Sequence, residues 1–170
     1  MNAKIPRSLR YLDVTDIGPA RRVSIGAALA RHVGLRNNQR RVARLVARSL
    51  QSFSASIDER HAFTLKPVDA EQYHRLTARL LAIDTQLGAI ADTPLGPAVV
   101  ERALGISRRE RQRWSRDGRL QVQGRAFIRR GQLIALPTYA AAPIDALLRN
   151  PQQIAAWRAD DLDTDEQRDD

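Results

Sequence analysis

Six apolar side chains between residues 73 and 90 restrict the fold of this chain more than any other feature. Tyr73, Leu76, Leu80, Ile83, Leu87 and Ile90 alternate three- and four-residue steps, the spacing that lines up side chains along one stripe of an α-helix. Asp69, with Gln72 three residues on, opens that helix with a capping-box spacing in which Asp replaces Ser or Thr. A stripe of about two and a half heptads needs an apolar partner. It has two outlets. It can pack back on a helix at about 38–53, whose Val42, Leu45, Val46, Leu50 and Phe53 share one face, forming an antiparallel hairpin. It can also meet a second copy, as a homodimer through Tyr73, Leu76, Leu80, Ile83, Leu87 and Ile90.

The rest of the chain is organised around this stripe. Residues 1–23 hold Pro6, Gly18 and Pro19 with little periodicity and read as a flexible arm. From Ser24, Ile25, Ala28, Leu29 and Val33 recur at helical steps up to Gly34, and Asn37 or Asn38 can cap the next helix. Residues 54–69 read as a connection with a short extended piece at Ala62–Leu65. Thr93-Pro94 looks like a helix start, Leu104-Gly105 its end, and Ser107 with Glu110 a capping box opening another helix that reaches Asp117-Gly118. From Leu120 to Leu136 the pattern becomes extended, broken at Gly124 and Gly131. Pro143 and Asn150-Pro151 begin further short helices, the last ending at Trp157. The predicted fold is mainly α: a helical N-terminal hairpin, then a winged helix-turn-helix with a short β-hairpin. Its parts are an arm over 1–23, a helical domain over 24–91, a winged unit with C-terminal helices over 92–158, and a mobile acidic tail over 159–170.

Charge narrows the partner. The chain has 28 Lys and Arg against 19 Asp and Glu, a formal net of +9. Seven of the acids lie in residues 159–170, whose net is −6, so residues 1–158 carry +15. A basic body with an acidic tail points to a polyanionic partner. Only Lys4 and Lys66 are lysines. With abundant Ala this suggests a GC-rich bacterial genome, and Arg also suits bidentate contact with phosphate and guanine.

On a helix from Ser107 to Asp117, Arg108, Arg109, Gln112, Arg113 and Arg116 share a stripe, with Trp114 on the opposite side. Between Glu101 and Arg130 ten Arg face three acids. A helix with such a face cannot bury it, and the major groove of DNA accepts one. Arg108, Arg109, Gln112 and Arg113 are the expected base readers. Ser107, Arg116, Arg119, Arg125, Arg129 and Arg130 are expected on the phosphate backbone. The segment Val99 to Leu120, with its Leu104-Gly105-Ile106-Ser107 turn, Trp114 and Gly118-Arg119-Leu120, resembles the MerR and excisionase-like DNA-binding families. Carried on through the expected wing, the likeness covers about 40 residues and implies a winged helix-turn-helix that reads duplex DNA. Two positions depart from the pattern. Glu101 stands where a small residue touches the second helix, and Arg111 where an apolar one faces the core. Either the helices cross differently or Arg111 pairs with Glu101.

Arg21 to Arg48 holds eight Arg and no acid. Ala30 four residues before Gly34 suggests a second helix-turn-helix; the other reading is an amphipathic helix pair whose Arg36, Arg40, Arg41, Arg44 and Arg48 supplement phosphate contact or meet an acidic partner. Catalysis finds no motif. His32, His61 and His74 lack the i+4 partner of a helical metal site, and Ser52, Ser54 and Ser56 lack a Gly-x-Ser-x-Gly elbow. With no Cys there is no thiolate chemistry. The chain is therefore expected to be no enzyme and to need no metal or cofactor. The N-terminal residues lack a signal-peptide core and no apolar run is long enough to span a bilayer, so a cytoplasmic, nucleoid-associated protein is expected. The function these features suggest is sequence-specific duplex DNA binding by a bacterial regulator or a phage or mobile-element factor. The alternative is an assembly module that meets an acidic protein or structured RNA through its Arg faces.

Overall fold

The computed structural model describes residues 9–53, 56–59, 61–66, 69–130 and 132–166. The chain divides into two compact units between Asp92 and Thr93.

The first unit is α+β, which corrects the expectation of a mainly α protein built on a helical hairpin. Strands β1 (Asp13–Ile17), β2 (Ala20–Ser24), β3 (Ser56–Glu59) and β4 (Ala62–Leu65) form one antiparallel sheet in the order β1-β2-β4-β3. Gly18-Pro19 joins β1 to β2, with Ile17 opposite Ala20, and Val23 of β2 lies opposite Phe63 of β4. The segment read as an arm thus supplies two strands; residues 1–8 lie outside the described residues. Helical periodicity could not reveal β1, an edge strand whose side chains are nearly all exposed.

Helices α1 (Gly26–Arg31), α2 (Val33–Asn37), α3 (Gln39–Leu50) and α4 (Ala70–Ala91) complete this unit. The Asp69 carboxylate caps α4, accepting the Gln72 N–H at 2.7 Å. Leu76, Leu80, Ile83, Leu87 and Ile90 of α4 are buried in one cluster with Val42, Val46 and Leu50 of α3 and with Val23 and Phe63 of the sheet. Each such aliphatic side chain gains about 1.5–3 kcal/mol on burial. That gain is already taken within the unit, so the stripe closes its own core and is no free face for a second copy. Tyr73, at the head of the stripe, is half-buried under the Arg21 guanidinium, 4.0 Å from its ring. The Arg10 and Tyr11 N–H groups donate to the Asp84 carboxylate at 3.1 and 2.7 Å, which fastens the chain ahead of β1 to α4.

Gly34 corrects the idea of a second helix-turn-helix. It lies inside α2 rather than in a left-handed turn. A Cβ there would stand 2.3 Å from the Ala91 carbonyl oxygen, so glycine is what lets α2 reach the end of α4.

The second unit contains α5 (Pro97–Leu104), α6 (Arg108–Arg116), β5 (Val122–Arg130), β6 (Gln132–Tyr139), α7 (Ala141–Arg149) and α8 (Pro151–Glu166). The first of these helices starts at Pro97 rather than Pro94, because Leu95 is held extended. Its N–H donates to the Tyr139 carbonyl at 2.8 Å, and its carbonyl accepts the Tyr139 N–H at 3.0 Å. β5 and β6 form a two-stranded antiparallel ribbon. The ribbon runs on through Gly124, where a bulge replaces the expected break; Gly131 lies outside the described residues. α8 continues past Trp157 into the acidic segment, so residues 159–166 are helix rather than mobile tail, and residues 167–170 lie outside the described residues. No helix among the described residues is long and apolar enough to cross a membrane.

Candidate nucleic-acid interface

The site is built on the turn between α5 and α6. Gly105 ends α5 at φ 63°, a left-handed position that a side chain would strain. Two residues later the capping box forms: the Glu110 N–H donates to Ser107 Oγ at 3.1 Å and the Ser107 N–H donates to Glu110 Oε2 at 2.6 Å. Satisfying both orphan donors fixes where α6 begins.

Two side chains hold α6 from behind. Trp114 is fully buried. Arg111, only 6 % exposed, donates through Nε to Glu101 Oε1 at 2.7 Å and through Nη1 to the Tyr139 hydroxyl at 2.8 Å. The two departures from the helix-turn-helix pattern therefore compensate each other across the helix contact. Burial works against the Arg111 charge, but the hydrogen bonds to Glu101 and Tyr139 outweigh it and raise its pKa. Tyr139 is a junction. Its backbone pairs with Leu95, and its hydroxyl also meets Ser115 Oγ at 2.9 Å.

Helix α8 clamps the same assembly from the side. Arg158 donates to Glu110 Oε1 at 2.6 Å and to the Gly105 carbonyl at 2.9 Å. Trp157 meets the Trp114 ring edge-on at 5.0 Å between centroids. Asp161 accepts the Trp114 indole N–H at 2.9 Å and pairs with Arg119, which also bonds Asp117 and the Trp157 carbonyl. Burial pushes the Asp161 carboxyl up, but Arg119 and Trp114 hold it below its ordinary 3.8. Glu110 behaves alike: burial raises it, while Arg158 and Ser107 bring it below its ordinary 4.5.

What α6 leaves in the open is a stripe of Arg108, Arg109, Gln112 and Arg116, all exposed. Arg113 sits at its edge, half-buried, 3.5 Å from Asp161. The expected base readers thus divide into three open side chains and one engaged by α8. Ser107 is committed to the cap and Arg119 to Asp117 and Asp161, so neither stands free for a phosphate. Arg125 and Arg129 are exposed on β5, and the Arg130 side chain lies outside the described residues. Arg108, Gln112 and Arg116 also edge an open groove of about 1150 Å3 floored by Pro97, Val99, Ile134 and Leu136.

In the first unit, Arg36, Arg40, Arg41, Arg44 and Arg48 are all exposed. The first four surround a shallow hollow at the start of α3 with Asn37, Asn38 and Gln39. Sequence reasoning missed Asp161, Arg158 and Tyr139. The four-residue step from Trp157 to Asp161 was the available signal, since it places both on one helix face. No group of His, Cys, Asp and Glu able to hold a metal occurs among the described residues. No family model, curated protein or solved structure matches the chain.

Proposed function

We propose that the second unit binds double-stranded DNA, with α6 in the major groove and the β5–β6 ribbon beside it. One observation carries this reading. α6 is braced on its rear by Trp114 and Arg111 and on its flank by α8, yet presents Arg108, Arg109, Gln112 and Arg116 to solvent. Nothing in the core needs such a face, while Arg matches guanine O6/N7 and Gln matches adenine N6/N7. The likeness of residues 99–120 to MerR and excisionase-like proteins supports the same reading, as does the net +15 of residues 1–158. The biological role that fits is a bacterial regulator or mobile-element factor held on the nucleoid. Arg36, Arg40, Arg41, Arg44 and Arg48 of the first unit add sequence-independent attraction to phosphate.

Anisotropy of a labelled random-sequence duplex across a salt series tests the reading. Four or five phosphate contacts give a log–log slope of about −4. Replacing Arg108, Arg109 and Arg116 together by Ala should flatten that slope and weaken binding. If the triple variant binds like the parent, α6 is not the reading element.

A further inference from the structure

Among the described residues, none buries the Phe127 ring on the ribbon. It is 64 % exposed, and among the described residues it is the one Phe, Tyr or Trp left exposed. Arg125, Phe127 and Arg129 alternate along β5 and so stand on one side of the ribbon. The register sets Ala135, too small to cover the ring, opposite Phe127, and Leu133, itself 69 % exposed, opposite Arg129. The result is an apolar point flanked by two exposed guanidinium groups.

We infer that this ribbon is a wedge: it drives Phe127 between base steps from the minor groove and kinks the duplex. The inference rests on the DNA-binding reading above. Charge selects the occupant. A second copy would bring Arg125 and Arg129 against their own like, whereas a duplex offers phosphate rows on either side of a stack of flat apolar bases. Arg125 and Arg129 are four residues of strand apart, about 13 Å, enough to straddle the roughly 6 Å opening of the minor groove and reach the phosphates on both of its edges. The flanking Arg can therefore meet the phosphate walls while the ring enters at the floor. A lone aromatic makes no platform for successive unstacked bases, but one apolar wedge is enough to unstack a single step and bend the axis. Phe127 then acts with Leu133 as the insertion element, and the Arg pair supplies the grip.

The experiment uses the full chain and a duplex of about 30 base pairs, labelled at both ends for energy transfer and carrying 2-aminopurine internally. The parent protein should shorten the end-to-end distance and raise 2-aminopurine emission. Phe127→Ala should leave the duplex straight and bind about tenfold more weakly, with unchanged Trp emission because an exposed side chain has been removed. Phe127→Leu, still an apolar wedge, should keep the kink. Arg125→Gln with Arg129→Gln should lower the salt slope by about two. Parent protein that binds without bending, or Phe127→Ala that bends as the parent does, overturns the wedge and leaves the DNA-binding reading standing. A parent that binds no duplex overturns both. A parent dimer that Phe127→Ala turns into monomer in sedimentation, with straight DNA throughout, assigns the ring to a second copy and overturns the wedge.

Discussion

Removing Arg111 tests how α6 is held. Its guanidinium side chain is 7 % exposed and sits 2.7 Å from a Glu101 carboxylate whose side chain is 26 % exposed. Taking away one partner of a buried pair strands the other, at a cost of about 3–5 kcal/mol. Arg111→Leu leaves a carboxylate with partial access to water, so the loss should lie near the lower end, about 3 kcal/mol. Glu101→Ala leaves the better-buried guanidinium with the Tyr139 hydroxyl alone and should cost about 4 kcal/mol. The double variant places a small residue against an apolar one, so both desolvation costs vanish together. It should lie within about 1 kcal/mol of the parent. The assay is urea unfolding followed by tryptophan emission. Trp114 and Trp157 are the only tryptophans, and both belong to the second unit, so the signal reports that unit alone. Losses that simply add in the double variant would refute the compensation. An Arg111→Leu loss below about 1 kcal/mol would show the pair to be an ordinary surface bridge.

Two further outcomes follow from contacts described above. Gly34→Ala sets a Cβ 2.3 Å from a backbone oxygen that cannot swing aside, and should destabilise the first unit by about 3 kcal/mol. Circular-dichroism melting checks this, with tryptophan emission from the second unit as the internal control; melting at the parent temperature would disprove the close approach. For Asp161, the carboxyl is depressed in the folded state, so its contribution is complete above the ordinary value of 3.8 and is lost as pH falls through the lower folded value. Asp161→Asn should reduce the acid-side fall in unfolding free energy, while at low salt it should tighten non-specific duplex binding by removing one negative charge beside Arg113 and Arg119. An unchanged acid limb and unchanged affinity would show that α8 does not restrain these side chains.

Local chemistry was legible and pairing across the chain was not. Ser107 and Glu110 announce the start of α6 because a capping box is complete within four residues. The stripe from Leu76 to Ile90 announces α4 for the same reason. The sheet hid itself. β1 is a polar edge strand, and β2 carries Arg21 and Arg22 mid-strand, tolerated because Arg21 reaches Asp16 at 2.8 Å and the Tyr73 ring at 4.0 Å. The acidic segment read as a mobile tail by composition, yet Asp161 finds Trp114 and Arg119 more than forty residues away. Glu101 and Arg111 lie between these cases. Each broke a known pattern, which flagged the contact, and only the fold decided that they met.

The Tyr139 junction has a mechanical consequence. One residue ties the approach to α5, the rear of α6 and the last rung of the ribbon, through its backbone pairing with Leu95 and its hydroxyl bonds to Arg111 and Ser115. Helix and ribbon are therefore set at a fixed offset by a core side chain instead of a loop, and the unit behaves as a stiff gauge. A duplex engaging both must do the yielding. Sites with soft pyrimidine–purine steps between the two contacts should then be preferred over stiff A-tracts, a sequence preference written at base pairs that no side chain touches.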